Sequence, residues 1–162
     1  MELFASSHGR ELIPRILEEV PYSSCIFKPN AKFQTVTLGI ENVPPGKPIC
    51  IIGGTNNTHD PTLEVKTILS DFNIDLIKNK NKTNPIIIVE ILKRFDCPKT
   101  NALIAHLNMK IKKIFRHHKN IKFVPTRDLD CSLYTRQGLH LNNDGKDVLA
   151  KRIAETYYSV AQ

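Results

Sequence analysis

The chain has 162 residues, 41% of them hydrophobic, and a formal charge of +7. That length suits one domain with a substantial core. The longest clean apolar run, Ile86-Ile87-Ile88-Val89, is far too short to span a membrane. No basic segment followed by a long apolar stretch opens the chain, so no signal peptide is legible and a cytoplasmic or nuclear location is expected. A strand at the very first residues is also what a domain cut from a longer chain would show. The four cysteines, Cys25, Cys50, Cys97 and Cys131, form no C-x-x-C pair and fit no zinc spacing. They read as free structural thiols, and no metal or cofactor is expected.

Taken in order, strand and helix patterns alternate. Glu2–Ala5 reads as a first strand. The stretch ELIPRILEEV (11–20) has helical spacing, with Leu12, Ile16, Leu17 and Val20 on one side. Pro14 is tolerable in its first turn. Residues 22–27 read as a second strand ended by Lys28-Pro29-Asn30, and 31–42 as a short helix or an extended run. PICII (48–52) is a buried strand followed by Gly53-Gly54-Thr55-Asn56-Asn57. Asp60-Pro61 reads as the start of a helix running to about Lys78.

PIIIVEIL (85–92) is the most apolar strand and so a central one. A long amphipathic helix is expected over 99–118, with Ile104, Leu107, Ile111, Ile114 and Phe115 on one face. A fifth strand covers 121–125, a loop 126–141 and a last helix 144–161, capped by Asn142 or Asn143. Five strands separated by helices predict an α/β fold: a three-layer α/β/α sandwich around a five-stranded parallel sheet, flavodoxin-like in topology. Ligands of such sheets bind beyond the carboxyl ends of the strands.

Four polar segments would gather there: Ser6-Ser7-His8-Gly9, Pro29-Asn30-Ala31, Gly53-Gly54-Thr55-Asn56, and Gln137-Gly138-Leu139-His140. Together they offer a hydroxyl, an imidazole to take its proton, and donors for an oxyanion, which is what acyl transfer requires. Ser7 alone reads equally as the cap of the helix that follows it. His8 is expected to face solvent at the mouth of the site. Arg94 and Asp96, after the fourth strand, either line the site or pair with each other. A nucleotide-binding reading of Gly53-Gly54-Thr55 lacks both a G-x-G-x-x-G pattern and a P-loop lysine.

The four segments, in this order and over nearly the whole chain, resemble the SGNH (GDSL-like) hydrolases. Ala5-Ser6-Ser7 stands for that family's Gly-Asp-Ser block and Asn30 for its glycine. Gly54-Thr55-Asn56-Asn57 stands for its Gly-x-Asn-Asp block, and Gln137-Gly138-Leu139-His140 for its Asp-x-x-His. GLHLNNDGKDVLAKRI and the Asn101…Asn108 pair are similar to the family as well. The resemblance implies a single SGNH hydrolase-like domain over 1–162, an SGNH-type serine esterase or acyl hydrolase with a small ester as substrate. Ser7 would be the nucleophile and His140 the base. Asn56 would donate its side-chain amide, and Asn30 a backbone N–H, to the oxyanion.

Two of the departures from the family pattern bear on the chemistry. Gln137 replaces the aspartate that orients the histidine, and a glutamine can accept its proton without supplying charge. Asp128 and Asp130, in the same loop, are alternative orienters. Ser6 replaces the aspartate of the first block. A second function class follows from Gln137 and from charge: a catalytically degenerate domain that binds RNA or another polyanion. Its candidate contacts are Lys110, Lys112, Lys113, Arg116, Lys119 and Lys122, with a second basic group at Lys78, Lys80 and Lys82. SGNH-like domains of retrotransposon-encoded and Oskar-like proteins resemble this second class.

Overall fold

A computed structural model describes residues 1–160. Five short strands form one sheet: β1 (Glu2–Ala5), β2 (Ser24–Phe27), β3 (Ile49–Ile52), β4 (Ile86–Val89) and β5 (Ile121–Val124). Every pairing is parallel, and the spatial order is β2-β1-β3-β4-β5. The helices are α1 (Leu12–Glu19), α2 (Phe33–Val36), α3 (Val65–Ser70), α4 (Ile74–Asn81), α5 (Asn101–Phe115) and α6 (Asn143–Val160). Ala161, the last residue of the expected final helix, lies outside the described residues.

Alternation along each strand divides the core in two. Leu3, Ala5, Cys50, Ile52, Ile87 and Val89 face α1 and α6, meeting Leu12, Ile16, Leu149 and Ile153. Phe4, Ile49, Ile51, Ile86 and Ile88 face the other layer, where α5 contributes Ile104, Leu107, Ile111 and Phe115. β3 and β4 are buried at every residue, as central strands of a sheet covered on both faces must be. β2 is the exposed edge. Cys25 and Cys50 lie in strands as free thiols, and burial pushes the Cys25 thiol up to about 11.

The expected helix over 60–78 is two helices. The Asp60 carboxylate accepts from the Thr62 N–H and hydroxyl, an Asx turn that holds 60–62 out of a helix. Asn73 then breaks the run at φ 45°, and its amide donates to the Gln34 carbonyl and the Thr37 hydroxyl. Asn142 caps α6, its Oδ1 accepting from the Gly145 N–H at 2.9 Å. Among the described residues no helix is long and apolar enough to cross a membrane.

The chain passes from β1 out to β2, then back across β1 to β3. The order therefore reverses beside β1, and the crevice outside the carboxyl ends of β1 and β3 is where such sheets bind ligands.

Candidate active site

The turn after β1 is built by close packing. Ser6 is buried, and its N–H continues the β1–β3 ladder to the Ile52 carbonyl at 2.9 Å. Ser7–Gly9 then make one tight 3-10 turn. A Cβ on Gly9 would collide with the Ala5 side chain, so only glycine lets the turn fold back on its own strand. The capping reading of Ser7 does not hold. α1 begins at Leu12, its N-cap position is Glu11, and the Ser7 hydroxyl makes no hydrogen bond among the described residues.

Three further loops converge on this turn. Asn30, after β2, sits in left-handed backbone at φ 58°. That region suits asparagine best after glycine. Asn57, after β3, is buried and accepts from the Phe33 N–H at 2.8 Å, tying the loop after β3 to α2. Gly54 holds φ +102°, and a Cβ there would lie 2.8 Å from Ile91 Cγ1. The loop before α6 is closed by the Thr135 N–H to the His140 carbonyl at 2.8 Å and the Gly138 N–H to the Thr135 carbonyl at 2.8 Å.

Helix packing completes the assembly. α1 and α6 lie side by side on one face of the sheet. Arg15 bridges them, donating to Asp147 at 2.5 Å and to Asn143 at 3.1 Å. Because Ser7 precedes α1 and His140 precedes α6, this packing draws the two together. Both line one cavity of about 410 Å³ with His8, Arg10, Glu11, Asn30, Thr135, Leu141 and Lys146. Neither the Ser7 N–H nor the Asn30 N–H is spent on another group among the described residues. Asn56 is half-buried and does not line this cavity; its amide donates to the Ala31 carbonyl at 3.1 Å, next to Asn30.

The imidazole of His140 has no orienter of the expected kind. Its Nδ1 is buried without a hydrogen-bond partner. Gln137 is exposed and bonds nothing there. Asp128 is held by Arg152 in a two-pronged pair at 2.8 and 2.7 Å, which draws its carboxyl down to about 2. Asp130 turns to the Ser132 N–H and hydroxyl. Burial lowers the His140 pKa, and Arg10 and Lys146 lower it further, against an opposing pull from Asp96.

His8 does not face solvent. It is buried, with its ring centroid 5.0 Å from that of His140, and its Nδ1 also lacks a partner. Burial first, then His140 and Arg94, push its pKa down to about 3, so it is neutral at ordinary pH. Arg94 and Asp96 pair with each other, at 2.7 and 3.1 Å. Arg10, Glu11, Thr135 and Lys146 were not singled out by sequence reasoning. The available signal was position: Arg10 and Glu11 directly follow the serine block, and Lys146 lies near the start of the helix after His140.

No family model matches the sequence, and no curated protein matches it. Solved structures do. A member of the lipolytic G-D-S-L family from Veillonella parvula aligns at TM-score 0.74 and 18% identity over 97% of each chain. The C-terminal catalytic domain of a Streptococcus pneumoniae peptidoglycan O-acetyltransferase aligns at TM-score 0.78 and 14% identity, covering 98% of this chain and 92% of that one. The fold is that of the SGNH hydrolases. A carbohydrate esterase of family 3 from Talaromyces cellulolyticus shares this SGNH fold at TM-score 0.78 and 13% identity, covering 99% of this chain and 96% of that one.

Proposed function

We propose that this SGNH-fold domain is a serine ester hydrolase. Ser7 Oγ attacks the ester carbonyl carbon while His140 takes the hydroxyl proton. The C–O bond to the alcohol breaks, and His140 returns the proton to the departing alcohol. Water then enters, gives a proton to His140, and attacks the acyl-serine. Acid is released and Ser7 regains its proton. The N–H groups of Ser7 and Asn30 receive the negative oxygen, while the Asn56 amide, bound to the Ala31 carbonyl, holds the Asn30 loop in place. The observation that carries this reading is the single cavity containing an unbonded serine hydroxyl, an imidazole and two unspent N–H groups. The lipolytic and esterase descriptions among the fold's neighbours agree with it.

The missing carboxylate sets the expected pace. In a serine protease, changing the triad aspartate to its amide costs roughly 10⁴ in rate. Hydrolysis is therefore expected to be slow but real. Release of 4-nitrophenol from the acetate and butyrate esters should fall to the buffer rate in both Ser7→Ala and His140→Ala. Equal rates in all three proteins would remove the catalytic reading.

A second reading, as a binder of RNA, rests on where the basic groups sit. α4 and α5 each return the chain to the amino ends of the strands, so their last turns lie opposite the Ser7 cavity. There Lys78, Lys82 and His118 share a cleft of about 540 Å³, near Arg116, His117 and Lys119. Lys113, Arg116, Lys119 and Lys122 are exposed and form no ion pair among the described residues. Lys112 is engaged by the buried Glu90 and leaves the set. Cations at helix C-termini also complement the helix dipole, which explains part of the pattern without RNA. Binding of single-stranded RNA that weakens steeply with salt, and further in Lys82→Glu/Arg116→Glu, supports this reading. Salt-insensitive binding, or none, ends it.

A further inference from the structure

We propose that the Ser7 cavity takes esters that carry an acid group, with Arg10 and Lys146 reading the acid. The inference rests on the esterase reading and names its substrate class. Arg10 is the exposed cation of the cavity wall and has no ion-pair or hydrogen-bond partner for its guanidinium among the described residues. Lys146, from α6, lines the same cavity, is largely buried and holds a carboxylate already, that of Glu11 at 2.5 Å.

Glu11 is an unusual residue for its place. It stands at φ 58°, a left-handed conformation that a glutamate adopts at a cost. It is also exposed, so its hold on Lys146 is that of a surface pair, which is weak. The chain thus places its own carboxylate on the cavity's cation in a form that a better-seated acid can displace. With Glu11 on Lys146, the wall carries one net positive charge from Arg10. With Glu11 displaced, both cations are free to contact the ligand's acid.

The state of His140 points the same way. Both cations lie close enough to disfavour a proton on it, and no carboxylate reaches its Nδ1. An imidazolium formed during attack on a neutral ester therefore meets positive charge from Arg10 and Lys146 that Asp96 offsets only in part. A substrate acid seated between Arg10 and Lys146 offsets that charge at the moment it hurts the reaction. It supplies in trans part of what the family's aspartate supplies in place. Acid-bearing esters thus gain in binding and again in the chemical step.

Matched esters test this. On the acyl side, 4-nitrophenyl hydrogen adipate is compared with 4-nitrophenyl hexanoate. On the alcohol side, 4-acetoxybenzoate is compared with its methyl ester. The expected result is a kcat/KM ratio of at least about tenfold in favour of the acid on one side, which also identifies the side. That ratio should fall several-fold in Arg10→Gln and collapse with added salt. Neutral esters hydrolysed as fast as their acidic partners would overturn the inference and leave the esterase reading intact. Calorimetric binding of the same four esters to Ser7→Ala separates the two claims. Tighter binding of the acidic members, lost in Ser7→Ala/Arg10→Gln, supports the inference even where turnover is absent. Equal binding within each pair overturns it.

Discussion

His140 and His8 make opposite uses of the same side chain. His140 works as a base only when neutral, and burial with two nearby cations lowers its pKa below the ordinary 6.5. The pH profile of kcat/KM should therefore rise through a midpoint below 6.5 and be flat by neutrality. A midpoint above 6.5 in the unaltered protein would contradict the electrostatic picture. His8 is buried and neutral, with a folded pKa of about 3. Below pH 6.5 the unfolded chain binds a proton there that the folded chain refuses. Its contribution is thus complete above 6.5 and is lost as pH falls from 6.5 toward 3. His8→Leu should flatten that acid limb, read as the urea midpoint at pH 7.5 against pH 5. An unchanged slope would mean that His8 is not a protonation-coupled core residue.

At the scale of elements, three asparagines and two glycines position the site. Asn108 on α5 receives the Ile91 N–H at 2.8 Å and donates to the Ile91 carbonyl at 3.0 Å. Asn101 does the same for Arg94, at 2.8 and 2.9 Å. The helix thereby clamps the loop after β4 as a neighbouring strand would. That loop in turn holds the histidine loop, the Phe95 N–H donating to the Gly138 carbonyl at 2.8 Å. Asn108→Ala leaves the Ile91 N–H unpaired and its carbonyl with only a long bond from the Thr126 hydroxyl, and should cost about 1–3 kcal/mol in chemical denaturation. Gly138→Ala is expected to damage activity more than fold. Gly138 holds φ +76°, and its Cβ would sit 2.8 Å from the Asp96 nitrogen, so the loop must shift and carry His140 with it. Full activity in Gly138→Ala would show that the loop has slack the packing denies it. Asn142 caps α6 and also donates to the Ser132 carbonyl at 2.7 Å, fixing the far end of the same loop. A Cβ on Gly145 would meet the Leu133 carbonyl, so α6 can approach the loop only there.

At the scale of the whole molecule, the alternation of apolar strands and amphipathic helices was legible because a buried parallel sheet leaves continuous hydrophobic runs. Ile86–Val89 and Ile49–Ile52 are such runs, and both strands stand where their composition put them. The break at Asn73 was not legible, because it depends on side-chain bonds to Gln34 and Thr37 from a distant part of the chain. That Ser7, Asn30 and His140 would meet at one cavity was legible from their order along the chain. The burial of His8 was not, since it depends on segments as distant in sequence as that of His140. The engagement of Asp128 by Arg152 hid in the same way. Electrostatics divides the molecule into two ends. Cations gather at the amino ends of the strands, with Lys82, Lys113, Arg116, Lys119 and Lys122 exposed there, while Arg10 and Lys146 flank the Ser7 cavity at the other.

The central claim is that Ser7 is a nucleophile activated by His140. Intact-protein mass spectrometry after treatment with phenylmethylsulfonyl fluoride tests it most directly. The serine oxygen would displace fluoride from sulfur, and the protein would gain one phenylmethylsulfonyl group as hydrogen fluoride leaves. The account predicts one addition, mapped to the peptide containing Ser7, absent in Ser7→Ala and strongly slowed in His140→Ala. An unmodified protein, or a label on another residue that persists in Ser7→Ala, would contradict it.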